Sequence, residues 1–374
     1  MSDPRTERMA TLLVRYSAAI RPGDRVLLEG ETAAEPLLRA LFERILEVGG
    51  HPFLAVSFAG QDTLTGFDDS FLRLASDEQL DQPAVWHRLA YREFESRIRI
   101  YSSSNTRLLM RADRDRAARR QRGVAEVLEA QMDRGGRGEF RWVTTIFPTS
   151  GHAQDADMGQ AEFESYIYGA CYVAEDGDAV THWEETRRVQ DRLASALGGH
   201  DRVELHSPDC DLHLSIRDRT FINACGTHNM PDGEIFTGPV ESSAEGRVRF
   251  RFPLVHKGNE VQGVELRFEH GRVVEARAER NQTYLDQMLG TDSGARFLGE
   301  LGIGLNAALQ VPTRNILLDE KMGGTIHLAL GAGYPDTGSR NQSAIHWDMI
   351  CDMRHDSEIV VDGETVYRNG QFTI

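Results

Sequence analysis

Apolar and polar positions change their period twice along this chain. After Gly23-Asp24 a short apolar run, Arg25 to Leu28, reads as a strand. From Thr32 to Val48 the apolar residues then fall at helical spacing until Gly49-Gly50 stops them. Pro52 to Phe58 (PFLAVSF) reads as a second strand, and Ser96 to Tyr101 and Phe140 to Phe147 as further strands with helical stretches between them. Strands alternating with helices predict an α/β layer on a mainly parallel sheet, because parallel strands need a crossover long enough to hold a helix. The arginine-rich run Arg111 to Arg122 is expected to be a solvated helix face. Near Tyr166 to Trp183 the pattern changes: a helix containing Tyr166, Tyr168 and Tyr172 leads through the EDGD tetrapeptide at 175–178 into a long helix ending near Leu197.

Beyond that point the runs shorten and alternate with period two, as in Leu212 to Ile216, Val248 to Leu254 and Gly263 to Glu269. FEHGRVVEARAE has the look of a hairpin turning at His270-Gly271. Helices are expected at Gln282 to Leu289 and through Gly294 to Leu298. A chain of 374 residues exceeds the size at which one core stops growing. Two domains are therefore expected: 1–185, an N-terminal α/β domain with a mainly parallel sheet, and 186–374, a strand-rich α+β domain.

Composition narrows the function classes. Hydrophobic residues make up 40% and charged residues 27%, and no stretch approaches the ~20 apolar residues that span a bilayer. The N-terminal segment is charged and helix-forming and lacks the apolar centre and cleavage site of a secretory signal, so a cytoplasmic protein is expected. Four cysteines without C-x-x-C spacing indicate neither a zinc ribbon nor a disulfide framework. A net charge of -16 speaks against a nucleic-acid partner, since that binding depends on clustered Lys and Arg.

Histidines and carboxylates of the second half fall in compact phrases bounded by glycine and proline. In NMPDGEIFTGP, Glu234 sits where a turn hands the chain to a strand; it points either into a cleft or, as in an ordinary hairpin, to solvent. In GARFLGELGIG, Glu300 lies among small and apolar residues, and a buried carboxylate needs a metal or a cation, for which Arg296 competes. In LLDEKMGGTIHLALGAGYP, His327 lies in a β-like apolar run, the usual place of a core histidine, but close in sequence to Glu320 and Tyr334. In IHWDMI, His346 and Asp348 share one face of a strand while Trp347 takes the other. An imidazole and a carboxylate on one face can chelate zinc, cobalt, manganese or iron.

The phrases PDGEIFTGP, ARFLGE, DEKMGGTIHLALGAGYP and IHWDM resemble those of the thermophilic aminopeptidase T family of two-metal exopeptidases, which includes aminopeptidase S. SSSNTR at 102–107 and IFPTSGHAQDADM at 146–158 extend the resemblance more loosely into the first half. Carried over, the resemblance implies that Glu234, Glu300, Glu320, His327, His346 and Asp348 bind two divalent metal ions, with zinc, cobalt or manganese expected and iron an option. Glu300 would bridge the ions or lie beside a bridging water, and Tyr334 would assist catalysis by donating to the oxyanion. The spacings from Glu320 to His327 and from Tyr334 to His346 differ from those of some members, which bears on pocket shape. The resemblance further implies short peptide substrates and a homodimer. A rival is a ring-cleaving non-haem iron dioxygenase acting on dihydroxypyridines, related to the same peptidases, for which His327, His346 and Asp348 would suffice as a facial triad. Glu234, Glu300 and Glu320 discriminate against it, because a one-iron site has no need of three further carboxylates. Metal storage without catalysis is a third reading, against which Tyr334 and its turn speak.

Overall fold

Strand-forming runs between residues 25 and 146 pair in parallel, as their alternation with helices predicts. The computed structural model describes residues 3–58, 69–174, 177–256 and 258–374; Glu175 and Asp176 of the EDGD link lie outside them. By internal packing the chain divides into a unit of Met1–Trp183 with Gly226–Pro231 and a unit of Glu184–Cys225 with Asp232–Ile374.

In the first unit, β1 (Arg25–Glu31), β2 (His51–Ser57), β3 (Ser96–Tyr101), β4 (Arg141–Ile146) and the two-residue β8 (Asn229–Met230) form a parallel sheet in the order β2-β1-β3-β4-β8. Val26, Leu28, Ile98, Ile100 and Val143 point to one face and bury against the helices Pro4–Leu12 and Glu35–Glu47. Leu27 points to the other face, where Tyr91, Phe94, Val127 and Phe140 cover it.

That second face also buries charge. Glu29 is wholly inaccessible and lies 3.0 Å from Arg99 Nε, 3.1 Å from His87 Nε2 and 3.8 Å from Arg97 Nε, with the Tyr91 hydroxyl donating at 3.2 Å. Burial alone would raise its pKa; the Arg99 guanidinium, the His87 hydrogen bond and Arg97 outweigh it and hold the carboxyl well below the ordinary range. A depressed folded-state pKa stabilises above the unfolded value of 4.5 and loses that contribution as pH falls through the folded one, so this group resists acid until well below pH 4.5. Glu29→Gln strands two buried guanidinium groups and is expected to cost about 3–5 kcal/mol in urea unfolding. An unchanged midpoint would mean that Arg97 and Arg99 find other counter-charges.

Three local expectations are corrected. The arginine run forms the helix Arg114–Gly123, but it is not simply a solvated face: Arg120 is buried, donates to the Leu80 carbonyl at 3.2 Å and covers the Phe71 ring at 5.3 Å. Tyr172 lies beyond the helix Gln160–Ala170 with φ +58°. No helix forms through 294–298, because the Asp292 carboxylate accepts from the backbone N–H of Gly294 and of Ala295, both at 3.0 Å, and turns the chain before the next strand begins.

The second unit holds two antiparallel sheets. The larger runs β14-β13-β10-β6-β5-β18-β19-β20, from β5 (Arg202–Ser207), β6 (Cys210–Ser215), β10 (Glu245–Phe250), β13 (Val264–Glu269), β14 (Arg272–Arg277), β18 (Glu358–Val361), β19 (Glu364–Arg368) and β20 (Gln371–Phe372). The hairpin at His270-Gly271 forms as expected, both residues with positive φ. The smaller runs β17-β16-β15-β9-β7, from β7 (Ile222–Ala224), β9 (Glu234–Thr237), β15 (Leu298–Gly304), β16 (Thr325–Gly331) and β17 (His346–Asp352). β11 (Leu254–His256) and β12 (Asn259–Val261) make a separate ribbon. Leu205, Leu212, Val248 and Leu266 of the larger sheet and Leu301, Ile303, Ile326, Leu328, Trp347 and Met349 of the smaller share one core. Since strand side chains alternate, residues 300, 327, 346 and 348 must project from the opposite face of the smaller sheet. The four cysteines are buried and outside any disulfide.

Candidate metal centre

Register gathers the site. Glu234 opens β9, Glu300 lies in β15, His327 in β16, and His346 and Asp348 in β17. Across the pairings Glu234 faces Gly304, His327 faces Gly302, Asp348 faces Ala329 and His346 faces Gly331. Small partners leave the polar side chains room to lean together above the sheet. The clearest case is Gly302, where a Cβ would lie 2.0 Å from Cε1 of His327. Gly302→Ala must therefore displace that imidazole, and we expect it to weaken divalent-metal binding by about 10–100-fold, the loss typical when a ligand's support is removed. Chelator competition measures this, and unchanged affinity would remove His327 from the ligand set.

Glu320 arrives differently, one residue past the short helix Ile316–Asp319. Asp319 anchors that loop by accepting from Thr313 N at 2.7 Å and Thr313 Oγ1 at 2.6 Å. Glu234 is pinned through its backbone, whose carbonyl accepts from the buried Gln190 Nε2 at 2.8 Å.

His327 Nε2 lies 3.0 Å from Glu300 Oε1 and 3.3 Å from Glu234 Oε2, and His346 Nε2 lies 3.5 Å from Glu300 Oε2 and 3.4 Å from Asp348 Oδ1. His346 Nδ1 donates to the Ala332 carbonyl at 2.7 Å, which fixes the ring and leaves Nε2 for the carboxylates. Arg296 does not compete for Glu300; it donates to the Val273 carbonyl at 3.1 Å. Tyr334, 44% exposed, sets its ring 5.5 Å from Phe236 and 5.1 Å from His346. Trp347 turns into the core, as the H-x-D alternation requires.

Three overlapping groups result: Glu234, Glu300 and His327; Glu300, His346 and Asp348; Glu320, His327 and Asp348. In each, one ligand atom per residue lies within 4.8 Å of the others. Every sequence-derived ligand candidate enters at least one group. The donor set fits divalent cations on a second count. Glu234 Oε2, Glu300 Oε2 and Asp348 Oδ1 are buried and, beyond histidine nitrogens 3.3, 3.5 and 3.4 Å away, have no hydrogen-bond partner among the described residues, and buried carboxylate oxygens so placed are costly unless cations meet them.

Proton occupancy gives the site a pH signature. Burial would lower His327, but its hydrogen bond to Glu300 and the charges of Glu234 and Glu300 raise it to about 9. Burial would likewise lower His346, and Asp348 together with Glu300 raises it to about 10. These raised values stabilise the metal-free protein fully below the unfolded pKa of 6.5, and the contribution is lost as pH climbs through about 9 and about 10. At pH 7 both imidazoles hold protons that a bound cation must displace. Burial also raises Glu234 to about 8, so metal binding is expected to release about two to three protons per chain and to tighten as pH rises. Calorimetry in buffers of different ionisation enthalpy measures the release; none would exclude both histidines as ligands.

Sequence reasoning missed Lys321. In the phrase DEK the sequence singles out Glu320 alone, yet Lys321 is 1% exposed, with Nζ 2.6 Å from Glu234 Oε1, in contact with Glu320 Oε1 and 3.7 Å from Asp232 Oδ1. Asp232, also buried, was missed with it. The available signal was a lysine set between LLDE and the apolar, glycine-bounded run MGGTI, where few charged groups stay solvated.

A family model described as thermophilic metalloprotease (M29) matches residues 2–372. Aminopeptidase T of Thermus thermophilus is 26% identical over 410 residues, covering 98% of this chain and 96% of that one. Aminopeptidase AmpS of Bacillus subtilis is 24% identical, covering 97% of each. Among solved structures, wild-type AmpT from Thermus thermophilus matches with a TM-score of 0.82 over 99% of both chains at 23% identity. A 2,5-dihydroxypyridine dioxygenase from Pseudomonas putida KT2440 matches at 0.59 over 98% of this chain and 96% of that one, at 13% identity. At such identities the two structural matches speak for the fold alone.

Proposed function

The chain belongs to the thermophilic metalloprotease (M29) family, and from that premise we propose that it is a metal-dependent aminopeptidase releasing N-terminal residues from short peptides. The observation that carries this reading is the convergence of Glu234, Glu300, Glu320, His327, His346 and Asp348 into three groups that share members. Shared ligands are what two neighbouring cations need: Glu300, His327 and Asp348 each enter two groups, and Glu300, which lies against both His327 and His346, is our candidate to be held in common by the two ions. Bound there, two divalent ions would polarise the scissile carbonyl and lower the pKa of an attacking water.

The remaining work falls to side chains. The alternative place for Glu300 is beside the attacking water, where its Oε2, without a hydrogen-bond partner among the described residues, would take the proton. Tyr334 is suited to donate its hydroxyl hydrogen to the oxyanion that develops on the peptide carbonyl. Desolvation, reinforced by the charges of Glu300 and Asp348, raises the Tyr334 hydroxyl above its ordinary range, which keeps it a donor at working pH. In this reading residues 186–374 form the catalytic domain and 1–185 an N-terminal domain, in a cytoplasmic homodimer.

The test is ions bound per chain, paired with amino-acid release from a panel of short peptides. Two ions with release of N-terminal residues supports the proposal. One iron, oxygen consumption with a dihydroxypyridine and no peptide cleavage would replace it with the dioxygenase, a reading disfavoured by the three extra carboxylates within reach of the histidines.

A further inference from the structure

Buried lysines are rare unless paired, and Lys321 is paired only with acids. Its backbone is fixed, the N–H donating to the Leu318 carbonyl at 3.1 Å and the carbonyl accepting from Asn306 N at 3.0 Å. Asn306 Nδ2 in turn donates to the Asp232 carbonyl at 2.8 Å, holding that acid in place. The ammonium donates to Glu234 Oε1 and Glu320 Oε1, with Asp232 Oδ1 3.7 Å away. Glu234 gives Oε1 to Lys321 and sets Oε2 3.3 Å from His327, and Glu320, which gives its own Oε1 to Lys321, belongs to the ligand group of His327 and Asp348.

Charge gives this arrangement a purpose. Asp232, Glu234, Glu300, Glu320 and Asp348 are five carboxylates, one more than the charge of two divalent cations balances, and Lys321 supplies the missing positive charge. We propose that Lys321 is a positioning residue of the metal centre: a built-in cation that holds one oxygen each of Glu234 and Glu320 and keeps the acid cluster folded before metal arrives. This rests on the metal-site reading above.

The test compares thermal midpoints of the full chain with excess chelator and with saturating Mn²⁺ or Zn²⁺, alongside ions bound per chain. In Lys321→Met the metal-free form loses the buried ammonium that meets Glu234 and Glu320, whereas bound cations compensate in the loaded form. The gap between the two midpoints is expected to widen by on the order of 5 °C relative to wild type. Adding Asp232→Asn to that variant removes one charge of the opposite sign and is expected to close the gap again. A gap that is unchanged or narrowed in Lys321→Met overturns the proposal and leaves Lys321 a structural ion pair. Should that variant not fold, Asp232→Asn alone carries the test, because with Lys321 intact it must stabilise the metal-free form and narrow the gap; no change overturns the proposal. Peptide hydrolysis is read separately. If the gap behaves as described and wild type cleaves no peptide, the aminopeptidase reading fails and the role of Lys321 stands; a wild-type protein with no gap at all defeats the metal reading and this proposal together.

Discussion

Glu300→Gln is expected to lower peptide turnover by about 10²- to 10⁴-fold, the range spanned by general acid–base groups, and to reduce the ions bound per chain. The substitution keeps shape and removes charge at a carboxylate that enters two ligand groups and lies against both histidines. It also turns the charge-assisted hydrogen bond of His327 Nε2, now 3.0 Å from Glu300 Oε1, into a neutral one. The hydrogen bond to Glu300 is the largest of the effects that raise His327, so the imidazole's pKa must fall in the variant and fewer protons leave when metal binds. Turnover, elemental analysis and proton release therefore move together. Full turnover with two ions retained would show that Glu300 neither bridges nor accepts a proton, and the assignment would pass to another carboxylate.

The sequence was legible where periodicity acts alone. Ser96–Tyr101 is bounded by the same residues in the reading and in the structure, and His346 and Asp348 share a face because strand side chains alternate whatever the rest of the fold does. The expected helix at 294–298 failed because one side chain, Asp292, captures two backbone donors, and no window of hydropathy registers a single hydrogen bond. β8 could not be read at all: two residues joining a sheet whose other strands end before 147 are a product of topology.

Residues of the site divide in the same way. Glu300 and His327 stood out because charge interrupted apolar runs. Lys321 did not, because a lysine beside two acids looks solvated until its neighbours in space are known; Glu234 is 87 residues away along the chain. Gly302 was equally silent, since its need to be glycine comes from the imidazole across the ladder and not from a turn. What sequence alone missed is thus mostly the support of the site, the groups that leave room, neutralise or anchor.

Tyr334→Phe separates that support from chemistry. The ring keeps its places 5.5 Å from Phe236 and 5.1 Å from His346, so only the hydroxyl is lost. If that hydroxyl meets the oxyanion, kcat is expected to fall by about 10²- to 10³-fold, equivalent to about 2.7–4 kcal/mol of transition-state stabilisation. Ions per chain should stay as in wild type, because the substitution leaves all six acid and histidine ligand candidates in place. KM should change little, since the interaction strengthens only as charge develops. This pattern differs in kind from that of Glu300→Gln, in which metal content and turnover fall together. A Phe variant with undiminished kcat would remove Tyr334 from the reaction, and one that lost metal would make it part of the site's scaffold.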